Sequence, residues 1–124
     1  MAYPFKFHDY FDLDERLTDD VRMARDAVRE WVNQEIVPSI EDHAMQATFS
    51  RDWFRQLGEL GCYGPALPVE DGGHGLSETG YGVLMRELER GDTSIRSMAS
   101  VQGSLVMYPI SAFGSSHQKS QYLK

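Results

Sequence analysis

The chain has 124 residues, 41% of them apolar, and its formal net charge at pH 7 is -7. A length of roughly 100–150 residues is typical of one globular domain, and the even spread of aromatic and aliphatic residues excludes a disordered or low-complexity chain. The acidic balance excludes nucleic acid as a partner, because phosphate binding needs a clustered basic surface.

The first segment, residues 1–16, is rich in aromatic residues and has no helical period. Its aromatic residues are Tyr3, Phe5, Phe7, Tyr10 and Phe11. We expect an extended arm that packs these rings onto the domain or onto a neighbouring subunit, and a partly ordered tail is the alternative. The segment lacks the apolar core of a signal peptide, and no apolar stretch approaches the ~20 residues of a membrane span. The sequence therefore predicts a cytoplasmic protein, or a mature form whose targeting segment has been removed.

The first helix is predicted to begin after Thr18, a residue that favours the N-cap, with Asp19 and Asp20 placed well for the helix dipole. Its apolar residues share one face at helical spacing: Val21, Ala24, Val28, Trp31 and Val32. Pro38 is expected to kink or end this helix, because its ring removes a helical hydrogen bond. A short second helix is predicted from Ser39 to about Met45.

Ser50 is predicted to cap a third helix, which Gly61 ends in the left-handed conformation. The inner face of this helix is expected to consist of Trp53, Phe54, Leu57 and Leu60. A loop rich in glycine and proline follows from Cys62 to Gly75. Its run Gly72-Gly73-His74-Gly75 lacks the G-x-G-x-x-G spacing and a preceding strand, so we interpret it as a connection between helices and not as a phosphate site.

A fourth helix is predicted from Ser77 or Glu78 to about Gly91. Its inward-facing residues are expected to be Tyr81, Leu84, Met85 and Leu88. A fifth helix begins after a cap at one of the next three positions: Asp92, Thr93 or Ser94. Its apolar stripe is predicted to keep one face over four turns and contains Ile95, Met98, Val101, Leu105 and Tyr108.

Pro109 is expected to bend or end the fifth helix, and a further helix is predicted from Ser115 or Ser116 through Tyr122. No segment shows the apolar alternation of a strand. The predicted fold class is therefore all-α, with short connections and a bundle-like packing.

Few titratable residues are candidates for chemistry. The four histidines lie far apart and none pairs with a second ligand at metal-binding spacing, so no metal site is predicted: His8, His43, His74 and His117. The single cysteine, Cys62, excludes an internal disulfide, and we attribute it to packing. Glu87 and Glu89 project about 200° apart on a helix, so they cannot form a two-carboxylate catalytic site.

The fifth helix carries the most informative polar residues. A row of small hydroxyl side chains runs beside its apolar stripe: Ser97, Ser100 and Ser104. Arg96 stands at the start of this helix, and a guanidinium there can hold a carboxylate with two parallel hydrogen bonds. The pattern alone favours an exposed ion pair of Arg96 with Glu87, Glu89 or Asp92.

The stretch from Arg86 to Leu123, RELERGDTSIRSMASVQGSLVMYPISAFGSSHQKSQYL, closely resembles the N-terminal domain of glutaryl-CoA dehydrogenases. Upstream, the run LGELGCYGPALPVEDGGHG is similar to the loop that joins two helices in acyl-CoA dehydrogenases generally. The resemblance extends from about Phe11 to Leu123. Its RELER…RS…SVQxSLVM pattern is specific, whereas the loop is generic to the superfamily.

The resemblance implies that residues 17–124 are the helical N-terminal domain of a three-part protein, with a middle β domain and a C-terminal helical domain outside these residues. FAD then binds between the other two parts and across a subunit contact. The catalytic glutamate belongs to the C-terminal part, so no catalytic residue is expected here and the chain alone is expected to be inactive. The resemblance also implies an acyl-CoA substrate, an electron-transfer acceptor and a homo-oligomer, which is a tetramer in the family.

The arginine-serine pair that lies on the substrate in glutaryl-CoA dehydrogenases matches Arg96 and Ser97. The distal carboxylate of glutaryl-CoA would be costly to bury unpaired, and a fixed guanidinium offsets that cost. The implied function is one wall of the acyl pocket in the oxidative decarboxylation of glutaryl-CoA to crotonyl-CoA. Glu89 is expected to orient Arg96, with Ser100 as a second supporting residue.

Two departures from the glutaryl pattern keep other functions open. Ser94 and Ile95 stand where that family usually has Gly-Tyr, and LPVEDGG is closer to general acyl-CoA dehydrogenases. The alternatives are an acyl-CoA dehydrogenase for another thioester and a non-catalytic helical interaction module.

Overall fold

The structure, a computed structural model, describes residues 11–123. Within this range the chain forms α-helices and short helical turns, and it contains no strand. The α-helices are α1 Asp19–Trp31, α2 Ile40–Gln46, α3 Asp52–Glu59, α4 Glu78–Gly91, α5 Thr93–Ser100, α6 Tyr108–Phe113 and α7 Ser116–Tyr122. The all-α prediction is confirmed.

The predicted arm lies mostly outside the described residues, since Tyr3, Phe5, Phe7 and Tyr10 all precede residue 11. Its last residues, Leu13–Arg16, form a short 3₁₀ turn, so the chain is not extended there. This turn is held to α1 by an ion pair between Asp14 and Arg25, in which the carboxylate lies 2.6 Å from Nη1.

Side chains cap the starts of three helices, α4, α5 and α7. Ser77 accepts a hydrogen bond from the Gly80 amide at the start of α4, and Asp92 accepts one from the Ser94 amide at the start of α5. Ser115 and Gln118 form a reciprocal capping box at the start of α7. These starts agree with the sequence.

The predicted cap of α3 is wrong by one residue. Arg51 occupies the N-cap position, and no side chain caps this helix. The Ser50 carbonyl, and not its hydroxyl, accepts a hydrogen bond from the Trp53 amide, so Ser50 lies in a turn before the helix. Trp53 is buried as predicted, whereas Phe54 is 49% exposed and does not belong to the inner face.

Two π-helical segments extend the α-helices, Val32–Ile36 after α1 and Val101–Met107 between α5 and α6. The second segment leads directly to Pro109, whose ring would clash with the carbonyl four residues earlier in a regular α-helix. A wider turn relieves that clash and keeps the helix continuous from α5 into α6.

The second π-helical segment changes which face of the long helix is buried. The buried residues follow steps of four: Ile95, Ala99, Gly103 and Met107. The predicted stripe is therefore wrong beyond its first turn, since Val101, Leu105 and Tyr108 are 48%, 70% and 56% exposed. A π turn holds more residues than the 3.6 of an α turn, so a face extrapolated at α spacing drifts away from the core.

The core lies where α4 packs between α1 and α5. Its buried members are Val28, Trp31, Val32, Ile36, Trp53, Leu57, Cys62, Leu84, Met85, Leu88, Ile95 and Ala99. The predicted inner faces of the first and fourth helices are thereby confirmed. A second, smaller cluster of Leu67, Met107 and Leu123 joins the loop after α3 to the end of the chain.

A buried carboxylate also links α4 to α1. Glu87 is only 2% exposed, and Arg29 donates to both of its oxygens, from Nε at 3.0 Å and from Nη2 at 2.8 Å. Arg86 and Arg90 each donate one further hydrogen bond to it, at 3.2 Å. Glu89 points away from this cluster, so the predicted divergence of the two glutamates is confirmed.

Glycines at the end of α3 and in the loop that follows allow turns and close backbone contacts that other residues would block. Gly61 has a φ of 71°, which confirms the left-handed end predicted for α3. A Cβ at Gly73 would lie 2.2 Å from the Leu67 carbonyl oxygen, so only glycine fits there. The loop interpretation agrees with this packing. No helix within residues 11–123 is long and apolar enough to cross a membrane.

Candidate functional site

The corner between α4 and α5 assembles the polar cluster around Arg96. The extended backbone of Asp92 breaks the helix, so the last turn of α4 lies beside the first turns of α5. Arg96 Nε donates to Glu89 Oε2 at 2.8 Å, and Arg96 Nη1 donates to Ser100 Oγ at 3.2 Å. Arg96 therefore meets both residues that were predicted to support it.

Glu89 is held from two sides. Its second oxygen accepts a hydrogen bond from Thr93 Oγ1 at 2.7 Å. The hydrogen bond from Arg96 is the main cause that lowers the pKa of Glu89 below its ordinary value, and the hydrogen bond from Thr93 lowers it further. Glu89 is therefore ionised at neutral pH, and it fixes the direction in which the Arg96 side chain points.

The guanidinium of Arg96 keeps part of its binding capacity. Its side chain is 33% exposed, and its Nη2 atom makes no hydrogen bond to the residues that the structure describes. Arginine presents its donors as a rigid fork that suits a carboxylate. The cluster can therefore accept one anionic group, and the pairing with Glu89 keeps the site nearly neutral beforehand.

Ser97 faces a different surface from Arg96. It borders an open cleft of about 470 Å³ between α5 with its π-helical extension and α3 with the loop that follows. The cleft is lined by Phe54, Tyr63, Ser94, Ser97, Met98, Val101 and Gln102. Adjacent residues on a helix point about 100° apart, so Arg96 lies beside this cleft and not among its lining residues. The two predicted substrate contacts thus occupy neighbouring surfaces of one helix.

The single thiol of the chain is not available as a nucleophile. Burial raises the pKa of the Cys62 thiol to about 12, which keeps it protonated at neutral pH. Within residues 11–123, no group of three or more His, Cys, Asp and Glu side chains could hold a metal ion. The arrangement is suited to holding and orienting a ligand.

The sequence did not reveal the site of Asp71. This residue is 8% exposed, and its Oδ2 accepts hydrogen bonds from Ser111 Oγ at 2.6 Å and from Lys119 Nζ at 3.1 Å. These contacts tie the loop after α3 to α6 and α7. Ser111 and Lys119 lie 40 and 48 positions after Asp71, so no local sequence pattern indicates the cluster.

The aromatic members of the cleft were also missed. The sequence places Phe54 on the inner face of the third helix and Tyr63 in the loop after it. The Tyr63 hydroxyl donates to the Phe54 carbonyl at 3.0 Å, a contact that depends on how the loop folds back on α3.

Comparison with known proteins gives consistent matches. The family described as acyl-CoA dehydrogenase, N-terminal domain, matches residues 18–124. The mitochondrial short-chain specific acyl-CoA dehydrogenase of Rattus norvegicus is 33% identical over 86% of this chain and 26% of its own. The crystal structure of glutaryl-CoA dehydrogenase from Mycobacterium smegmatis superposes with a TM-score of 0.82 and is 43% identical, over 90% of this chain and 29% of that one.

A second glutaryl-CoA dehydrogenase structure from Mycobacterium smegmatis, in complex with FADH2, superposes with a TM-score of 0.84 at 37% identity, over 91% of this chain and 29% of that chain. The chain thus spans little more than a quarter of the length of these relatives. Because the family match covers nearly all the described helices, the chain belongs to the acyl-CoA dehydrogenase family, whose N-terminal domain it represents.

Proposed function

We propose that this chain forms one wall of the acyl-CoA pocket of an FAD-dependent glutaryl-CoA dehydrogenase. Arg96 and Ser97 are the substrate contacts in this proposal, and Glu89 and Ser100 support them. The observation that carries it is the Arg96 guanidinium, fixed by Glu89 and Ser100 while its Nη2 stays uncommitted. The likeness to the Mycobacterium smegmatis structure supports the glutaryl assignment.

The chain's own residues bind and orient the acyl group. A carboxylate that enters an apolar pocket without a partner is strongly unfavourable, and Arg96 supplies that partner. Ser97 and the apolar residues of the cleft take the acyl chain beside it. With its far end held, the reacting part of the acyl chain keeps one register relative to the groups that the rest of the protein contributes.

The described residues do not fit a complete flavin. The residues that line the cleft carry no charged side chain to meet a pyrophosphate, and Gly73 in the nearby loop is packed against backbone. In the whole protein FAD would supply the oxidant for the acyl group. The catalytic base and most of the flavin site are expected in the parts of the protein outside this chain.

The test compares two substrates in the complete protein. Arg96→Ala should lower kcat/KM for glutaryl-CoA by roughly 10–150-fold, since a hydrogen bond to a charged group contributes about 1.5–3 kcal/mol. The value for butyryl-CoA, which has no distal carboxylate, should change by less than about 3-fold on the same reasoning. Arg55→Ala is the matched control, because that exposed arginine forms its ion pair with Glu59 on α3, away from Arg96 in sequence. Equal losses on both substrates would contradict the carboxylate role.

An acyl-CoA dehydrogenase for a different thioester is the second candidate. It is favoured by Ser94 and Ile95 before the arginine and by the similarity to the rat short-chain enzyme. A panel of acyl-CoA substrates of different length and charge separates the two. A stop codon directly after Lys124 in the gene would instead support a non-catalytic interaction module.

The partners of the whole protein follow from the same proposal. An electron-transfer protein would reoxidise the flavin, and the protein would be a homo-oligomer, a tetramer as in its family. Apolar side chains such as Leu105 and Phe113, 70% and 84% exposed, would then be covered by other parts of the assembly. Cytoplasmic localisation also stays a prediction, which cell fractionation tests.

A further inference from the structure

Two glycines form the contact between the second π-helical segment and the loop after α3. A Cβ added to Gly103 would lie 3.1 Å from the Gly64 nitrogen and 3.5 Å from the Gly64 Cα. Both glycines are buried, and Gly64 has a φ of 68°, in the left-handed region that favours glycine. Helix and loop therefore meet backbone to backbone, with slightly too little space for a methyl group between them.

This contact lies next to a residue that lines the cleft. Tyr63 precedes Gly64, and its ring borders the cleft together with Ser97 and Met98. The other end of its side chain is fixed as well, because its hydroxyl donates to the Phe54 carbonyl at 3.0 Å. The position of the ring is thus set by the glycine contact at the backbone and by α3 at the hydroxyl.

We propose that Gly103 is a positioning residue that sets the width of the cleft through Tyr63, and thereby the acyl groups that the cleft accepts. This inference rests on the proposed function, in which the cleft beside Ser97 receives the acyl chain. Gly103 touches neither the substrate nor the reacting atoms. Its effect is transmitted through the loop backbone at Gly64.

The size of the steric conflict makes Gly103 suitable for adjusting the cleft. A distance of 3.1 Å is a few tenths of an ångström below ordinary contact, so a methyl group needs only a small shift of the loop relative to the helix. At Gly73 the corresponding distance is 2.2 Å, which only a large backbone movement relieves. A methyl group at Gly103 should therefore move Tyr63 away from α5 and widen the cleft.

The experiment uses the complete protein and compares Gly103→Ala with Gly82→Ala. Gly82 is an exposed residue of α4 with open space where its Cβ would lie. We expect Gly103→Ala to raise the KM for glutaryl-CoA and butyryl-CoA by roughly 3- to 10-fold and to leave kcat within about 2-fold, because the catalytic groups lie elsewhere. The kcat/KM for octanoyl-CoA relative to butyryl-CoA should rise, and Gly82→Ala should change none of these values.

A second variant tests the same ring from its other end. Tyr63→Phe removes only the hydrogen bond to Phe54, and it should also raise KM. The double variant with Gly103→Ala should raise KM by less than the product of the two single effects, since both changes release one side chain. If Gly103→Ala fails to fold, Tyr63→Phe still tests whether the position of this ring controls acyl binding, and an unchanged KM for that variant overturns the inference.

The outcomes separate this inference from the proposed function. If Arg96→Ala discriminates between the two substrates while Gly103→Ala and Gly82→Ala behave alike, the role of Gly103 is overturned and the proposed function is retained. If Gly103→Ala raises KM but Arg96→Ala does not discriminate, the positioning role is supported for an enzyme with another acyl substrate. A fall in thermal stability without any change in KM assigns Gly103 a structural role and overturns the inference.

Discussion

Glu87→Gln provides the most direct measure of what joins α1 to α4. The substitution keeps the volume but replaces one carboxylate oxygen with an NH2 group, which faces guanidinium donors that already lie 3.0–3.2 Å away. Each hydrogen bond to a charged group contributes about 1.5–3 kcal/mol. The three arginine side chains are 41%, 55% and 31% exposed, so water can replace part of the hydrogen bonding that they lose when the carboxylate is removed. We therefore expect a net destabilisation of about 2–3 kcal/mol, less than the ~3–5 kcal/mol seen when a fully buried ion pair is broken.

The pH dependence of this destabilisation follows from the pKa of Glu87. Burial alone would raise that pKa, but the hydrogen bonds and charge of Arg29, with the hydrogen bonds from Arg90 and Arg86, outweigh burial and hold it below its ordinary value of 4.5. A carboxyl group with a depressed pKa stabilises the fold above its unfolded pKa, and this contribution is lost as the pH falls through the folded pKa. The difference between the wild type and Glu87→Gln should thus be constant near neutrality and should shrink below about pH 4.5.

Urea unfolding followed by circular dichroism, at neutral and acidic pH, measures this difference. Glu89→Gln is the matched control, because its carboxylate lies on the exposed side of the same helix and should change the free energy of unfolding by less than about 1 kcal/mol. If Glu87→Gln were as stable as the wild type at pH 7, or if its deficit grew on acidification, the ion-pair reasoning would be refuted.

Three further predictions concern the core and the loop. Leu88→Ala, at a fully buried position, should lower the free energy of unfolding by about 2–5 kcal/mol in the same urea experiment, because it leaves a cavity in the core. Cys62 should react with iodoacetamide only in denaturant, as judged by mass spectrometry, since its thiol is buried and its pKa is raised to about 12; modification of the native chain would contradict this. Gly73→Ala should lower the thermal unfolding temperature, because its Cβ would lie 2.2 Å from a carbonyl oxygen. Gly82→Ala is the control, because the space around a Cβ at this position on α4 is empty, and its free energy of unfolding should rise by about 0.5–1 kcal/mol.

Local patterns were sufficient to predict most of the fold. The helix starts at Ser77, Asp92 and Ser115 follow from side chains that accept an N-cap hydrogen bond, and the end of α3 follows from Gly61. These signals lie within a few residues of the backbone groups that they satisfy. The sequence therefore contains them directly, whatever the tertiary contacts.

The buried face of the long helix from α5 to α6 could not be predicted in the same way. Its direction after Ser100 depends on the π-helical turns before Pro109 and on the space that Gly103 leaves for the loop at Gly64. The contact of Gly103 with Gly64 joins segments about 40 residues apart, which no local pattern shows. A hydrophobic period fitted at 3.6 residues per turn therefore holds for Ile95 and fails for Leu105.

The candidate site likewise contains some residues that the sequence indicates and others that only the tertiary structure shows. The resemblance to a family pointed to Arg96, and Glu89 was within reach because only the short break at Asp92 separates the two helices. The direction of Ser97, toward the cleft and away from the guanidinium, is a consequence of helical geometry. Tyr63 lines the cleft because the loop folds back on α3, and the neighbouring sequence does not predict that fold.

Helix α4 connects the fold to the candidate site through two glutamates that point in different directions. Glu87 faces α1, where it is buried among arginines, and Glu89 faces the start of α5, where it holds Arg96. The spacing of two residues on a helix enforces this separation, since it places the side chains about 200° apart. Because Glu87 fixes α4 against α1 and Leu88 fixes it in the core, Glu89 is presented from a rigid support. The position of the guanidinium therefore depends on core packing as well as on its own ion pair, and a carboxylate bound at Arg96 would meet a preorganised partner.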